Sequence, residues 1–553
     1  MTAWGSFDRA AALRRLADDP FDVLVVGGGI TGAGTALDAA SRGLRTALVE
    51  RDDFASGTSS KSSKLVHGGL RYLQQGDVRL VYEALLERQR LRHNAPHLVR
   101  VLPFLIPLLS KDGLINPKVA RALGWAMWMY DLTGGARIGK IHKRIKTEAA
   151  LAHMPTLPRE RMAGAYLYYD AQTDDARLTL TIARTAALDA GAAIANGVRL
   201  VGIAKDDAGR VRSATVEADG ERFDVRTSSI VNATGVWADE IRAVDEGVNP
   251  SSIRPAKGIH ITVPWAKIQN DIAVVIPVPK DKRSVFVVPW GDLTYVGTTD
   301  TDYDGPVDDP QCTREDVDYL LRAINFSLAT KIDERDIVGT WAGLRPLVRD
   351  ESNARTADLS RRHRVSPSPS GVVTVTGGKL TTYREMAADT VDAVLEVVGD
   401  DVAARRRSTT RRLRLRGAEG YEQARAIGTA LALHLADRFG GEARVILAMI
   451  ERDPALARPL VAGLPYVRAE AVYAARYEMA RSVDDVLSRR TRSRLLARDA
   501  SGAAADDVAA LIGADLGWSD DEQVRQAARY RDLITYERVA ADLPETALEA
   551  QSL

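Results

Sequence analysis

The segment FDVLVVGGGITGAGTALDAASRGLRTALVE, residues 21–50, carries the pattern that decides the fold. A short run of mostly β-branched residues predicts a buried strand, and Gly27, Gly29 and Gly32 follow it with the spacing G-x-G-x-x-G. The first glycine permits a tight turn, the second lets a pyrophosphate approach the backbone, and the third lets a helix lie close to the sheet. A second strand ends at Glu50, whose carboxylate can accept both hydroxyls of a ribose. The segment therefore predicts a βαβ unit that binds FAD or NAD rather than NADP.

The composition of the chain narrows its class. A length of 553 residues is too great for one hydrophobic core and predicts two or three domains. A net charge of +1 provides no overall attraction to nucleic acid, so we expect no nucleic-acid partner. The single cysteine, Cys312, excludes a disulfide framework and a cysteine-rich metal site and favours a reducing compartment. We expect no signal peptide, no transmembrane helix and no metal.

A loop rich in small hydroxyl residues, RDDFASGTSSKSSKLVHGGLRYL, follows Glu50 over residues 51–73. Because it comes directly after the acid that would bind the ribose, it can wrap an extended dinucleotide. The groups that it offers are the hydroxyls of Thr58, Ser59, Ser60 and Ser63 and the ammonium of Lys64. The alternative interpretation is a solvated serine-rich loop.

Residues 116–146 are unusual in composition. An almost wholly apolar stretch that contains Trp125, Trp128 and Tyr130 is followed by five cations. These are Arg137, Lys140, Lys143, Arg144 and Lys146, with no acid between Asp131 and Glu148. This segment has two possible interpretations. It could be an element that lies on a membrane surface, or it could be a core helix followed by a solvated basic loop.

The remaining segments predict an α/β architecture with several parts. Strands and glycine turns recur at SIVNATG and VVTVTGGKLTTYR, whereas residues 255–336 are rich in strands that contain proline, which favours a mixed sheet. We expect a discontinuous Rossmann-like domain (18–102, 165–256 and 337–400), a substrate-covering domain with a mixed β-sheet (103–164 and 257–336), and a C-terminal α-helical domain (408–553).

Five candidate side chains lie beside glycines that could bring them near a flavin ring. They are His67, Arg71, His260, Arg345 and Lys379. Three of the five are cations, and converging cations in a cleft favour a dianionic substrate, since the planar fork of arginine suits phosphate. As alternatives, Arg71 could be a surface ion-pair partner and His260 an ordinary buried residue of a strand.

Several longer motifs together resemble one family. SSKLVHGGLRYL, DDARL, NATGVWAD, WAGLRPL and TGGKLTTYR are similar to the FAD-dependent glycerol-3-phosphate dehydrogenases, a branch of the larger family that includes D-amino-acid oxidase. YAARYEMARSVDDVLSRRTR, residues 473–492, resembles the signature of that family's helical C-terminal domain. The resemblance implies oxidation of sn-glycerol 3-phosphate to dihydroxyacetone phosphate, with FAD as the cofactor and a membrane quinone as the electron acceptor.

The resemblance also implies roles for particular residues. For FAD they are Gly27, Gly29, Gly32, Glu50, Thr58, Ser59, Ser63, Lys64, Val198, Gly235, Gly378, Leu380 and Thr381. For the substrate they are Arg71, Tyr72, His260, Arg345, Lys379 and, as a weaker match after an insertion, Arg361. His260, His67, Arg345 and Lys379 are the catalytic candidates, because the C2 hydroxyl must lose a proton to a base while nearby cations stabilise its oxygen. The sequence does not choose between His260 and His67 as that base.

Alternative functions and partners follow from the same scaffold. An oxygen-reducing glycerol-3-phosphate oxidase is the nearest alternative, followed by an amine or amino-acid oxidase and by a non-catalytic FAD-binding protein. The expected location is cytoplasmic and peripheral, on the inner face of the cell membrane. Glycerol 3-phosphate, a membrane quinone and an anionic lipid surface are the expected partners, and a homodimer is left open.

Overall fold

The computed structural model describes residues 7–69, 77–109, 117–279, 281, 283–349, 363–399 and 407–546. The strands in these ranges are β1 (Val23–Val26), β2 (Thr46–Glu50), β3 (Leu65–Val66), β4 (Arg100–Leu109), β5 (Lys143–Ile145), β6 (Met162–Gln172), β7 (Ala193–Asn196), β8 (Val198–Lys205), β9 (Val211–Ala218), β10 (Glu221–Arg226), β11 (Ile230–Asn232), β12 (Ile253–Pro264), β13 (Ala273–Pro277), β14 (Ser284–Trp290), β15 (Leu293–Gly297), β16 (Thr301–Asp302), β17 (Gly339–Val348), β18 (Arg364–Pro367) and β19 (Val372–Thr376).

The α-helices in the same ranges are α1 (Arg9–Asp18), α2 (Ile30–Ser41), α3 (Val78–Asn94), α4 (Pro117–Leu132), α5 (Thr147–His153), α6 (Asp175–Leu188), α7 (Ala238–Glu246), α8 (Trp265–Ile268), α9 (Arg314–Ser327), α10 (Tyr383–Val398), α11 (Tyr421–Arg425), α12 (Ala430–Phe439), α13 (Ala443–Arg452), α14 (Arg468–Tyr477), α15 (Ser493–Leu496), α16 (Arg498–Ala503), α17 (Ala505–Leu516) and α18 (Asp520–Ala540). A π-helical turn, Asp485–Arg490, precedes α15.

A six-stranded sheet forms around the first glycine motif. Its strand order is β18-β19-β11-β1-β2-β7, and all neighbours are parallel except β18, which is antiparallel to β19. Every residue of β1 is buried, as expected for a strand that is covered on both faces. Helix α2 packs between α6 and α10 over one face of this sheet. The expected Rossmann-like fold is confirmed, and β8, β9 and β10 form a separate antiparallel sheet.

A second, mixed sheet contains ten strands. Its main order is β16-β12-β15-β14-β13-β4-β6-β3, while β17 pairs with β12 and β5 pairs with β6. Strands β6 and β17 join this sheet, although most of their residues fall in ranges that the sequence assigns to the nucleotide domain. The reason is long-range pairing, since β17 is antiparallel to β12 over ten residue pairs and β6 follows β4 along nearly its whole length. Local sequence patterns do not encode such partners.

Helix α4, in the segment with two open interpretations, has two different apolar faces. Met127 and Tyr130 are buried in a core with β4 and β6. Trp125, Trp128 and Leu132, spaced three and four residues apart on the opposite side, are 71%, 55% and 76% exposed. The helix is therefore a core helix on one face and an exposed apolar surface on the other. None of the helices in the described ranges combines the length and apolar character needed to cross a bilayer.

The C-terminal region is helical, as predicted, and it packs on the rest of the chain. Two apolar clusters hold helices α11 to α18 together. One of these clusters includes Leu293 of β15 and Val338, which directly precedes β17. The backbones of the C-terminal region and the second sheet also lie close together at α15. The Leu495 carbonyl accepts the Thr262 hydroxyl at 2.8 Å, and a side chain at Gly339 would overlap this carbonyl oxygen.

Candidate active site

One large cavity, with a volume of about 1090 Å³, lies between the six-stranded sheet and the second sheet. Its walls include residues from the βαβ unit, the loop after Glu50, the strand pair β12 and β17, and the turn before α10. The predicted site residues that line it are Gly27, Gly29, Glu50, Thr58, Ser59, Ser63, His67, Val198, Gly235, His260, Arg345, Gly378, Lys379, Leu380 and Thr381. Gly32 and Lys64 do not line it, and Arg71, Tyr72 and Arg361 lie outside the described residues.

The glycine turn has the geometry that its spacing predicts. Gly27 has φ +110°, and a side chain there would come within 2.7 Å of the Ala233 carbonyl oxygen. Gly32 lies on α2, where a Cβ would be 1.9 Å from the Gly27 carbonyl oxygen. Gly29, at the N-terminus of α2, faces the cavity. The turn therefore brings the Gly29 backbone and the positive end of α2 to the cavity wall, which suits a pyrophosphate.

Glu50 lies at the end of β2, beside this turn. Its carboxylate accepts the N–H groups of Gly28 at 2.6 Å and Asp52 at 2.8 Å. Burial raises the pKa of the carboxyl to about 7, against the lowering effect of these two donors. A partly protonated acid that lines the cavity can both donate to and accept from ribose hydroxyls.

The loop after Glu50 is folded against the protein. Ser60 and Lys64 are buried, so the interpretation as a solvated loop is wrong. The Ser59 hydroxyl accepts the Ile30 N–H at 2.9 Å in the first turn of α2, and Thr58 donates to the Leu344 carbonyl at 2.6 Å. The loop is thus attached both to the nucleotide-binding helix and to β17.

Lys64 differs from the expectation that it faces a dinucleotide. Its ammonium lies behind the cavity wall, 3.2 Å from Asp175, and it donates to the Ser60 carbonyl at 3.1 Å. It also lies 4.7 Å from the centre of the Trp341 ring. The buried carboxylate of Asp175 holds the ammonium inside the protein.

His260 is buried where β12 faces the loop. Its ring stacks on Trp341 at 4.6 Å between centroids, and its Nε2 lies 3.0 Å from the Ser63 hydroxyl. Its Nδ1 has no hydrogen-bond partner among the described residues. Burial, followed by the charges of Lys64 and Arg345, lowers the pKa of His260 well below 6.5. His260 is therefore a neutral imidazole that can accept a proton.

Arg345 lies on β17 opposite Ala256 of β12 and lines the same cavity. Its guanidinium bonds Asp300 at 3.1 Å and the Thr298 hydroxyl at 3.2 Å. A side chain at Gly258 would come within 2.6 Å of this guanidinium. Gly258, two residues before His260, therefore leaves room for Arg345. The fork is held in place from two sides, which suits a group that recognises a planar or tetrahedral anion.

The turn before α10 closes the other side of the cavity. Gly377 and Gly378 have φ of +74° and +80°, and Lys379, Leu380 and Thr381 follow them along the cavity wall. The Thr381 hydroxyl accepts the His67 N–H at 3.2 Å, which joins this turn to the histidine loop. The strand β19, this turn and α10 therefore return the chain to the cavity.

The residues around the cavity suit an extended dinucleotide. Glu50 and Val198 lie at the ribose-binding end, Gly29 brings the N-terminus of α2 to the wall, and the turn at Lys379 lines the same cavity. Its volume is at the upper end of the range for small-molecule sites.

Family models match nearly the whole chain. The model "FAD dependent oxidoreductase" matches residues 22–384, and "C-terminal domain of alpha-glycerophosphate oxidase" matches residues 408–523. The chain is 40% identical to "Glycerol-3-phosphate dehydrogenase 2" of Mycobacterium tuberculosis, over 98% of this chain and 93% of the relative. It is 37% identical to the human mitochondrial glycerol-3-phosphate dehydrogenase, over 94% and 73%. The chain belongs to the FAD-dependent glycerol-3-phosphate dehydrogenase family.

Solved structures agree with this family. The glycerol-3-phosphate dehydrogenase from Bacillus halodurans, in complex with FAD, superposes with a TM-score of 0.76 at 28% identity, over 98% of this chain and 99% of that one. The L-alpha-glycerophosphate oxidase from Mycoplasma pneumoniae, with FAD bound, gives 0.54 at 18% identity over 68% and 95%, which shows a shared fold. As a member of an FAD-dependent family, this enzyme uses FAD as its cofactor.

Sequence reasoning missed three charged residues of this dehydrogenase-family site. Arg283, Asp281 and Asp300 also line the cavity. Arg283 donates to Asp281 at 2.8 Å and to the Asp300 carbonyl at 2.6 Å, so both Arg283 and Arg345 bond Asp300. The turn PKDKRS resembles an ordinary solvated turn, and its position at the start of β14 was the only available signal.

Proposed function

We propose that this enzyme oxidises sn-glycerol 3-phosphate to dihydroxyacetone phosphate and passes the electrons to a quinone at the inner face of the cell membrane. The observation that carries the proposal is the convergence, in one cavity, of a neutral buried histidine with Arg345 and Lys379. A dianionic phosphate matches the two cations, and a hydroxyl matches the imidazole. The names of the relatives support the same substrate.

The side chains divide the chemistry between them. Arg345 and Lys379 bind the phosphate and favour negative charge at the oxygen on C2, while His260 accepts the hydroxyl proton, with His67 as the second candidate. When bound, FAD supplies the acceptor for the hydride from C2. Phe286 and Trp341, packed around the two histidines, keep water from the reacting atoms.

The substrate is tested by anaerobic mixing of the purified protein with glycerol 3-phosphate while the flavin absorbance is recorded. We expect rapid bleaching by glycerol 3-phosphate and almost none by glycerol, because glycerol offers nothing to the two cations. D-alanine and glycine serve as controls for an amino-acid oxidase. Equal bleaching by glycerol and glycerol 3-phosphate, or bleaching by the amino acids alone, would contradict the proposed substrate.

An apolar extension of the cavity supports a quinone as the acceptor. Ile106, Leu109, Val275 and Phe286 line it from the second sheet, and Leu123 and Ala126 line it from α4. Leu123 belongs to the core side of α4, so the apolar lining of the cavity reaches this helix from the inside. An oxygen-reducing enzyme needs no such apolar lining. Turnover with a soluble quinone analogue that far exceeds peroxide formation in air supports the dehydrogenase, and the reverse supports the oxidase.

The exposed face of α4, on the side away from the core, is our proposed membrane contact. Trp125, Trp128 and Leu132 form an exposed apolar strip, and the five cations of residues 137–146 are all exposed nearby. None of these five makes an ion pair within 4.0 Å in the part of the chain that the structure describes. Tryptophan suits headgroup depth, and each cation near anionic lipid contributes about 1 kcal/mol.

Liposome co-sedimentation tests this contact. We expect that replacing Trp125 and Trp128 with Gln, or all five cations with Gln, removes binding to anionic liposomes while activity with a water-soluble dye is retained. The matched control replaces Tyr536 and Val539, which are exposed apolar residues of α18, with Gln and should bind normally. Undiminished binding of both α4 variants at low salt would exclude this face.

A further inference from the structure

A segment of the C-terminal domain reaches the back of the FAD loop. This arginine segment, residues 489–492, starts in the last two residues of the π-helical turn and is buried except for its first residue. Arg490 binds Asp53 with both terminal nitrogens, at 2.7 and 2.8 Å, and Arg489 binds it at 2.6 Å. Asp53 lies three residues after Glu50. The segment is therefore fixed to the chain directly after the ribose-binding acid.

Arg492 makes a second attachment further along the loop. Its guanidinium donates to the Ser60 carbonyl and to Asp175, the latter at 3.0 Å. Asp175 also accepts the Ser62 N–H at 3.0 Å, the Ser62 hydroxyl at 2.6 Å and the Lys64 ammonium at 3.2 Å. Arg492, Asp175 and Lys64 are at most 2% exposed. Arg492 and the Asp175 carboxylate together thus join the C-terminal domain to Ser60, Ser62 and Lys64.

The backbone at this junction is strained. Lys64 has φ +55° and Arg492 has φ +65°, in the left-handed region that residues other than glycine rarely adopt. Both side chains bind the same carboxylate of Asp175. Strain of this kind persists only where surrounding contacts impose it, and it concentrates at functional sites. A buried ion cluster adds little net stability compared with apolar packing, so the fixed geometry is its main effect.

The loop held in this way continues directly to the proposed base. Ser63 follows Ser62, and its hydroxyl lies 3.0 Å from His260 Nε2 while its carbonyl accepts the Tyr295 hydroxyl at 2.9 Å. We propose that Arg492 and Asp175 are positioning residues, which hold the loop 56–64 in the shape that binds FAD and that orients His260. This inference rests on the FAD contacts proposed above for Thr58, Ser59 and Ser63.

The first test compares two conservative variants of buried arginines in the C-terminal domain. Arg492→Lys disturbs the loop contact, whereas Arg498→Lys disturbs a pair with Asp499 that does not touch the loop. We expect similar losses of thermal stability in the two apoproteins. Only Arg492→Lys should raise the Kd for FAD, measured by titration of apoprotein, by tenfold or more and lower kcat tenfold or more with little change in the KM for glycerol 3-phosphate. Equal Kd and kcat in both variants would overturn the inference.

The pH dependence of FAD affinity separates positioning from general stability. Arg492, Asp175, Asp174 and His260 are the charged or titratable groups around Lys64. Burial, and then the charge of Arg492, lowers the pKa of Lys64 to about 8, so FAD affinity should be constant below pH 8 and fall above it. Arg492→Gln removes a positive charge and should move this midpoint to higher pH, while Arg492→Lys should not.

An unchanged midpoint in Arg492→Gln would contradict the role of the cluster. Gly29→Val distinguishes this failure from a failure of the proposed site, because Gly29 faces the cavity and a branched side chain there should abolish FAD binding directly. If Gly29→Val loses FAD and the Arg492 variants behave like Arg498→Lys, only the positioning inference is wrong. Should Arg492→Lys fail to fold, Asp175→Asn tests the same contacts without changing side-chain volume.

Discussion

At the scale of single residues, burial controls the chemistry of His260. A histidine in water is half protonated near pH 6.5, whereas this one is enclosed by Trp341 and Tyr295 and has Lys64 and Arg345 as positively charged neighbours. The imidazole is therefore neutral near pH 7. His67 lines the same cavity, and its backbone N–H donates to the Thr381 hydroxyl. It is therefore the histidine with which His260 should be compared as the base.

We expect His260→Asn to lower kcat by about 10²–10⁴ at pH 7 while FAD stays bound, because general-base catalysis contributes that much. The wild-type kcat should be flat between pH 6 and 8, since the lowered pKa keeps His260 neutral throughout this range. The kcat of the variant should rise with pH, because the proton must then leave without the imidazole. His67→Asn, measured in parallel, would identify the other histidine as the base if it shows the larger loss and the rising profile.

At the scale of elements, the pairing of β12 with β17 sets the distance between base and cation. Ala256 is opposite Arg345, and His260 is opposite Trp341, so the two functional side chains lie four residues apart along paired strands. Gly258, between them on β12, leaves the space that the Arg345 guanidinium and Thr298 occupy. The KGIH motif therefore supplies the histidine and also leaves the space beside it that the Arg345 guanidinium needs.

We expect Gly258→Ala to displace Arg345, because the added Cβ would come within 2.6 Å of its guanidinium. The kcat/KM for glycerol 3-phosphate should fall at least tenfold, or about 1.4 kcal/mol of transition-state stabilisation, with FAD content unchanged. Arg345→Lys should cause a similar loss, since lysine lacks the planar fork. Gly202→Ala on β8 is the matched control, because its Cβ would meet Thr215 at an ordinary 3.5 Å. Normal activity of Gly258→Ala would contradict this role for the glycine.

The elements also show what the sequence could predict. Glycine spacing and local periodicity predicted β1, the turn at Gly27, α2 and β2, because each of these depends on neighbouring residues. Neighbouring glycines singled out His260, Arg345 and Lys379 as candidates, and the resemblance gave them roles; the three converge on one cavity although they are far apart in the sequence. The inward position of Lys64 could not be predicted, since it depends on Asp175 and Arg492. Arg283 and Asp300 were missed for the same reason, because only tertiary pairing brings them together.

At the scale of the whole molecule, the C-terminal domain is joined to the nucleotide-binding part by buried polar groups. Arg184 of α6 binds Glu442, and Arg177 of the same helix binds Glu478. His97, after α3, is buried beside Tyr421 of the C-terminal helices, and a side chain at Gly417 would come within 3.0 Å of it. Contacts of this kind couple the unfolding of the two regions and make their joint stability depend on pH.

We expect acid to destabilise the enzyme partly through His97. Burial lowers the pKa of His97 to about 3, so between pH 6.5 and 3 the unfolded chain binds the proton and the folded chain does not. The free energy of unfolding should therefore fall as the pH is lowered through this window, with a loss of about 2 kcal/mol at pH 5 from this residue.

His97→Gln cannot take up a proton and should show a smaller decrease of Tm between pH 7 and 5. His93→Gln, at an exposed position four residues earlier, should leave the wild-type decrease unchanged. Thermal unfolding of the three FAD-saturated proteins measures this difference, and parallel curves for wild type and His97→Gln would show that the acid sensitivity arises elsewhere.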